Sequence, residues 1–286
     1  MQIRFSQTGG VRRTKLPRMH NEVDETWTVT SEQEAMSGAG GRIEHCADAD
    51  LAAVFSTPDV ARRLEQAWVT AYAAAERFWR SAQTAPALSS RMKELILLAL
   101  HATVTALDGE AVRRHVQRAL AAGATDQDVL DVLITIVPVA NHALYFAVPV
   151  LIRELRAASS AGAELPPATP EAQALQEEFV RTCGFWNEQR DAIMRLMPDY
   201  FAQLSDISTV PWKSGSLSPK EHELICIAVD CSVTHTYEKG LAIHIRNALG
   251  MGATREELLE VFSLAAVTGL EGYILAAEAL YSGDAG

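Results

Sequence analysis

Cysteine is scarce in this sequence, and the cysteines present are scattered. They are Cys46, Cys183, Cys226 and Cys231, and no two of them form a Cys-x-x-Cys pair. Thiol redox pairs and zinc knuckles use that spacing, so its absence excludes sites of those types. Cys226 and Cys231 lie on one predicted helix about 140° apart around its axis, too far for a mutual disulfide. We predict that the thiols are reduced.

Positive charge and long apolar runs are also lacking. Lys and Arg total 25 against 36 Asp and Glu, which gives a formal net charge of −11. No basic cluster outlines a phosphate-binding face, so we expect no nucleic-acid partner. No apolar run reaches the roughly 18 residues that span a bilayer, and the first 30 residues lack the apolar stretch of a secretory signal. We therefore expect a soluble, cytoplasmic protein with no membrane partner.

Strand patterns are absent, and helical periodicity takes their place. From Ala47 onward, apolar residues recur at spacings of three and four, as in Leu64, Trp68, Ala71, Tyr72 and Ala75. That spacing predicts one buried helix face, and no segment alternates as a strand would. The predicted fold class is all-α.

Breaker residues divide the chain. Residues 1–46 mix glycine, serine and charge without a period, so we predict a tail there. Residues 158–170 include Ser159-Ser160, Gly162 and Pro166-Pro167 and are interpreted as a linker. The predicted modules are then 47–157 and 171–286.

The two modules are copies of each other. A shift of 129 residues aligns 88–133 with 217–262 without a gap, and 16 of the 46 pairs are identical. About three or four identities are expected by chance, so this is an internal repeat.

The identical residues include the signals that start and end helices. Ser218-Pro219-x-Glu221 predicts a capped helix start, and Gly252 followed by Thr254-x-x-Glu257 predicts a helix end and the next capping box.

The repeat resembles the carboxymuconolactone decarboxylase family, whose fold is of the alkyl hydroperoxidase D-like type. The similar residues are Leu217-Ser218-Pro219-Lys220-Glu221, Glu223-Leu224-Ile225, His244 with Ala248-Leu249, and Gly252-Ala253-Thr254-x-x-Glu257-x-x-Glu260-Val261. The resemblance implies a helical bundle that forms homo-oligomers, here with two modules in one chain. It also implies a lyase or isomerase that binds a small-molecule substrate.

Hydroperoxidase-type relatives carry a Cys-x-x-Cys seven and four positions before the histidine. Those positions are Tyr237 and Gly240 in the second copy, and Asp108 and Ala111 in the first. The nucleophilic and resolving sulfurs are thus both missing, so thiol peroxide reduction is disfavoured.

The second copy concentrates groups that can carry protons. His244 lies on a predicted helix, and His235, Tyr237 and Glu238 precede that helix in Thr234-His235-x-Tyr237-Glu238-x-Gly240. A histidine beside a tyrosine and a carboxylate could transfer protons to a small carboxylate, lactone or carbonyl compound without a cofactor. The alternative is that His244 is a core histidine with a hydrogen-bond partner.

The resemblance marks Glu223, and its counterpart Glu94, as the acidic member of the site. We expect burial to raise the pKa of these carboxyls. The first copy keeps Glu94, His115 and His142 but lacks the His-x-Tyr-Glu turn. We interpret it as a supporting copy.

Two other functions remain open. His235, His244 and Glu271, which aligns with His142, could form a two-histidine, one-carboxylate metal site in an oxidative enzyme. The chain could also be a non-catalytic oligomeric binding protein.

Overall fold

A computed structural model of the chain describes residues 49–159 and 161–281. These residues form α-helices and short 3-10 turns, and no strand occurs among them, which confirms the predicted class. The predicted tail, 1–46, lies outside the described residues.

The first copy contains six helices, listed here in chain order with their bounds. They are α1 (Pro58–Ala67), α2 (Val69–Gln83), α3 (Ser90–Ala102), α4 (Gly109–Ala121), α5 (Asp126–Ile136) and α6 (His142–Ala157).

One further helix, Pro170–Cys183, lies between the helices of the first copy and those of the second. The helices that follow α6 are α7 (Pro170–Cys183), α8 (Glu188–Leu196), α9 (Pro198–Ser214), α10 (Pro219–Cys231), α11 (Glu238–Gly250), α12 (Arg255–Val267) and α13 (Glu271–Tyr281).

The 129-residue shift extends beyond the identical residues. It carries the first residues of α2 to α6 onto those of α9 to α13. It also matches the backbone at special positions: Leu107 and Thr236 have φ of 47° and 44°, and Gly123 and Gly252 have 91° and 84°. Residues other than glycine rarely adopt positive φ values. The two copies therefore share the backbone geometry of their turns as well as their helices.

The predicted caps form as hydrogen bonds. Ser218 with Glu221 and Thr254 with Glu257 each make a complete capping box. Thr125 with Asp128, which is the weaker pattern in the sequence, makes a complete box too. These caps satisfy amide groups at the starts of α10, α12 and α5, and thereby set where those helices begin.

The copies pack around a local two-fold relation. Helices α3 and α10 pack on each other; α5 contacts α9 and α10, and α12 contacts α2 and α3. The equivalent hydroxyls of Thr105 and Thr234 approach to 3.3 Å, as expected for residues on the relating axis. Apolar side chains of both copies belong to one continuous core. The division at 158–170 stays a prediction from the sequence.

Carboxylates of each copy cap the other. Asp131 accepts a hydrogen bond from the Leu217 amide at 2.9 Å, and its other oxygen lies 3.0 Å from His222 Nε2. The equivalent Glu260 accepts from the Leu88 amide at 2.9 Å. All these groups are buried or nearly so, which makes the two copies one cooperative unit.

Two continuous helical stretches, Asp126–Ala157 and Arg255–Tyr281, are long and apolar enough by length and composition to cross a membrane. The sequence pattern alone predicts no such stretches. They contain Asp131, Glu260 and Glu271, buried carboxylates that bind groups on the opposite copy. Core helices outside membranes meet the same criterion, so the stretches carry little weight as membrane spans.

Candidate functional site

A cleft of about 700 Å³, including the part open to solvent, lies between the two copies. The first copy contributes the end of α5 and the start of α6, and the second contributes α8 to α11, with α7 beside them. Its polar lining residues are Thr135, His142, Tyr145, Asn187, Arg190, Ser208, Trp212, Asp230, Tyr237 and His244. Apolar and aromatic walls with a few polar groups are typical of a small-molecule site.

His244 and Glu223 form a dyad at the cleft. Nδ1 of His244 lies 2.6 Å from Oε2 of Glu223, which is fully buried, and Asn247 donates to the other oxygen at 3.1 Å. The His244 side chain is 14% exposed and lines the cleft. A carboxylate on Nδ1 fixes the proton there, so Nε2 is left to act as a base. This arrangement favours the functional interpretation over a core histidine.

Asp230 lies between the His244–Glu223 dyad and a pair of histidines, His235 and His142. Its carboxylate oxygens lie 3.9 Å from Nε2 of His244 and 3.5 Å from Nε2 of His235. His235 Nε2 in turn lies 2.7 Å from Nδ1 of His142, a residue of the first copy. Burial lowers the pKa of His142 to about 4, with His235, His244 and Arg190 adding to the effect and Asp230 opposing it. His142 is therefore neutral at pH 7.

Two predicted site residues remain: Tyr237 lines the cleft and Glu238 does not. Tyr237 donates to Gln189 Oε1 at 3.0 Å, and its ring lies 4.2 Å from that of His142. Burial raises the pKa of Tyr237. Glu238 is exposed at the first residue of α11 and does not line the cleft.

Arg190 is a functional candidate that sequence reasoning missed. It is 6% exposed, and its Nε and Nη1 have no hydrogen-bond partner among the described residues. Its guanidinium stacks 4.0 Å from the Phe179 ring centroid instead of pairing with a carboxylate. The only sequence signal is the run Phe185-Trp186-Asn187 before it, in which Asn187 caps α8. Since a buried unpaired charge is costly, this guanidinium marks a place for an anionic ligand group.

Comparison with known proteins identifies the family. The model of the carboxymuconolactone decarboxylase family matches residues 63–151 and 198–280, one region in each copy and more than half of the chain. The chain belongs to this family.

A crystal structure of a Burkholderia xenovorans protein agrees with the assignment. That protein is described as a candidate gamma-carboxymuconolactone decarboxylase subunit. The two are 33% identical with a TM-score of 0.75, over 81% of this chain and 93% of that one. Among curated proteins, no sequence matches this chain.

The equivalent position in the first copy of this family member is occupied by ion pairs. His115 Nδ1 lies 2.8 Å from Glu94 Oε2, and Arg118, in place of Asn247, donates to Oε1 of Glu94 at 2.8 and 3.0 Å. Burial alone raises the pKa of Glu94, but His115 and Arg118 outweigh it and hold that pKa below its usual value. The expectation of a raised pKa is wrong for Glu94, because its hydrogen bonds favour the ionised form.

The structure does not bring together His235, His244 and Glu271, the alternative metal-binding set. Glu271 lies in the first copy's site, where Arg114 donates to it at 2.6 Å and His101 Nε2 is 3.3 Å away. Each final helix crosses to the other copy, so His142 takes the place near His235 that the sequence assigned to Glu271. Nδ1 of His142 and Nε2 of His235 lie 2.7 Å apart, at hydrogen-bond distance.

Thiol chemistry has little support in this member of the family. Cys183 and Cys226 line the cleft, and burial raises the pKa of Cys183 to about 12 and that of Cys226 well above its usual value. Burial likewise raises the pKa of Cys231 to about 11. All three are protonated at pH 7, and the protonated thiol is a poor nucleophile.

Proposed function

We propose that the protein is a lyase or isomerase of the carboxymuconolactone decarboxylase type that acts by proton transfer on a small carboxylate, lactone or carbonyl compound. The observation that carries the proposal is the His244–Glu223 dyad in a cleft that also holds the guanidinium of Arg190, which pairs with no carboxylate among the described residues. One group can move a proton while the other holds an anionic substrate.

His244 is the proton-transfer group. Glu223 orients its ring and stabilises the imidazolium that forms when Nε2 accepts a proton, and Asn247 holds Glu223 in place. In an isomerisation, Nε2 takes a proton from one substrate carbon and the imidazolium returns it to another. In a decarboxylation, the carboxylate leaves as carbon dioxide and a His244 imidazolium that was protonated from solvent gives its proton to the carbon. Asp230 lines the same cleft, with Oδ2 3.9 Å from Nε2 of His244.

Other buried polar atoms at the cleft support a ligand with several oxygens. Asp230 Oδ2, Ser208 Oγ and Trp212 Nε1 have no hydrogen-bond partner within the described part of the chain, and all three residues line the cleft. Buried polar groups in native proteins are paired as a rule. A bound oxygen-rich substrate would supply the missing partners for the serine and the tryptophan.

The test is carbon dioxide release from gamma-carboxymuconolactone by the purified protein and its variants. We expect His244→Ala to lower kcat by roughly 100-fold or more while the protein stays folded. His115→Ala is the matched control at the equivalent position and should have a much smaller effect on kcat. Circular dichroism of each variant measures folding.

Two results would contradict the proposal. Equal turnover of wild type and His244→Ala per folded molecule would make His244 a core histidine. No turnover of this or related lactones and keto acids, combined with tight binding of one of them, would favour a non-catalytic binding protein.

A further inference from the structure

A second cluster of metal-ligating side chains lies in the first copy, outside the cleft. It consists of His101 on α3, His115 on α4 and Glu271 on α13 of the second copy. One ligand atom from each lies within 4.8 Å of the other two. All three residues are buried, with exposed fractions of 4%, 0% and 9%.

The two imidazoles have unused nitrogens. Nε2 of His101 and Nε2 of His115 lack a hydrogen-bond partner among the residues described. The rings stack in parallel, with centroids 5.1 Å apart and 2° between their planes. A buried polar atom without a partner needs an explanation, and an ion that accepts both lone pairs provides one.

The surroundings of His115 match those of a metal-bound histidine. Its Nδ1 is held by Glu94 at 2.8 Å, which leaves Nε2 as the ligand atom. Metal-binding histidines usually donate their second ring N–H to such a carboxylate, which fixes the tautomer and strengthens the ligand. Arg118 holds the other oxygen of Glu94, so this outer carboxylate is itself fixed.

The geometry at Glu271 also fits. Its Oε1 lies 3.3 Å from His101 Nε2, and Arg114 binds the other oxygen, Oε2. Metal–ligand bonds of about 2.0–2.1 Å in a tetrahedron place ligand atoms about 3.3–3.4 Å apart. Oε1 can therefore bind an ion while Arg114 keeps its contact.

From these contacts we propose that His101, His115 and Glu271 bind one divalent first-row transition ion such as Zn²⁺, with water as a fourth ligand, and that the ion joins α13 to the first copy. Neutral imidazole is the binding form. Because Arg114 and Arg118 add positive charge, we expect weaker binding than at a four-ligand structural zinc site.

The experiment is Co²⁺ titration of the full chain after dialysis against a chelator, followed by calorimetry and visible absorption, with Zn²⁺ as competitor. We expect one ion per chain with the absorption of four-coordinate Co²⁺. His101→Ala and Glu271→Gln should each weaken binding by about 100-fold or more, and Glu94→Gln by about 10- to 100-fold.

The control is His142→Ala, which alters the histidine pair at the cleft and leaves the proposed ligands in place. It should bind Co²⁺ as the wild type does. Absence of binding by the wild type at millimolar Co²⁺, unchanged binding by His101→Ala, or loss of binding in His142→Ala alone would each overturn the proposal. Circular dichroism of each variant separates loss of the site from loss of the fold.

Discussion

At the scale of single residues, the two copies differ in how they compensate a buried glutamate. Glu94 is neutralised by Arg118, whereas Glu223 has the uncharged Asn247 at the equivalent position. Nδ1 of His244, 2.6 Å away, is the other side-chain group in contact with the Glu223 carboxylate. That difference supports the proposal that the second dyad transfers protons while the first stabilises the fold.

Arg190→Met should separate binding from stability. A hydrogen-bonded charge pair contributes about 1.5–3 kcal/mol, so loss of the guanidinium should raise KM for a carboxylate substrate by roughly 10- to 150-fold. Without substrate, removal of a buried unpaired charge should leave the free energy of unfolding unchanged or higher. Steady-state kinetics and urea denaturation measure the two effects.

Arg195→Met is the control for this substitution, because Arg195 also lies on α8 but is paired with Asp191 and backbone oxygens. It should leave KM near the wild-type value. A drop in stability of Arg190→Met with no change in KM would show that Arg190 serves packing against Phe179 rather than substrate.

Two depressed histidine pKa values predict the acid sensitivity of the fold. The pKa of His101 is lowered to about 3 and that of His142 to about 4, against about 6.5 in the unfolded chain. At pH values between the folded-state and unfolded-state pKa, the unfolded chain binds more protons than the folded one. The free energy of unfolding therefore falls as the pH drops from about 6.5 towards 4. Denaturation by urea at a series of pH values in chelator measures this. His101→Phe should flatten the dependence, and an unchanged slope would contradict the assignment.

At the scale of secondary-structure elements, the start of α11 decides how close its neighbours come. Tyr237 precedes the helix, and Gly240 sits in its first turn beside Asp230 and the Tyr237 ring. The first copy has Ala111 in that place, with His101 instead of Asp230. A glycine here lets a carboxylate and an aromatic ring approach the helix backbone, which brings both to the cleft.

Gly240→Ala should damage the site more than the helix. The added Cβ would overlap Asp230 Oδ2 and the Tyr237 ring, so both must move, and we expect turnover to fall by about tenfold or more. Ala111→Gly is the matched control. It should cost about 1 kcal/mol of helix stability and leave turnover unchanged. Wild-type turnover in Gly240→Ala would show that Asp230 and Tyr237 are not held tightly at the reacting centre.

At the scale of the whole molecule, the duplication makes each site a shared one. Helix α6 of the first copy carries His142 to the second site, and α13 carries Glu271 to the first. Neither module alone contains a complete site. Divergence at equivalent positions has then left an open cleft on one side and a charged, buried cluster on the other.

We expect the chain to self-associate, as the family resemblance implies. Several large apolar side chains are exposed, including Phe146 at 76% and Val233 at 85%, and such residues are common at interfaces between copies. Light scattering at micromolar concentration should give a multiple of 31.1 kDa. A strict monomer would contradict this expectation, and Phe146→Ser should shift the equilibrium towards monomer if α6 lies in the interface.

The helices and their boundaries could largely be predicted from sequence because their signals are local. Ser218, Thr254 and Gly252 act on amides and carbonyls within a few residues, and the 129-residue repeat shows which segments share a structure. The family resemblance marks Glu223 and His244 as site residues, and the structure places them 2.6 Å apart. Their catalytic roles stay a prediction. Glu238 was not predicted correctly as a lining residue, because a position next to a site residue in sequence says little about which way its side chain points.

What the sequence determined, then, is the repeat, the helical class and the type of chemistry its residues can perform. Only the tertiary structure decided that Glu271 and His142 exchange sites and that Arg118 neutralises Glu94. The same holds for the burial of Arg190 without a hydrogen-bond partner for Nε and Nη1 among the described residues. The physical reason is the distance along the chain between the residues that interact. Helix periodicity and capping depend on neighbours three or four residues away, whereas pairing across the copies depends on which helix faces are buried together.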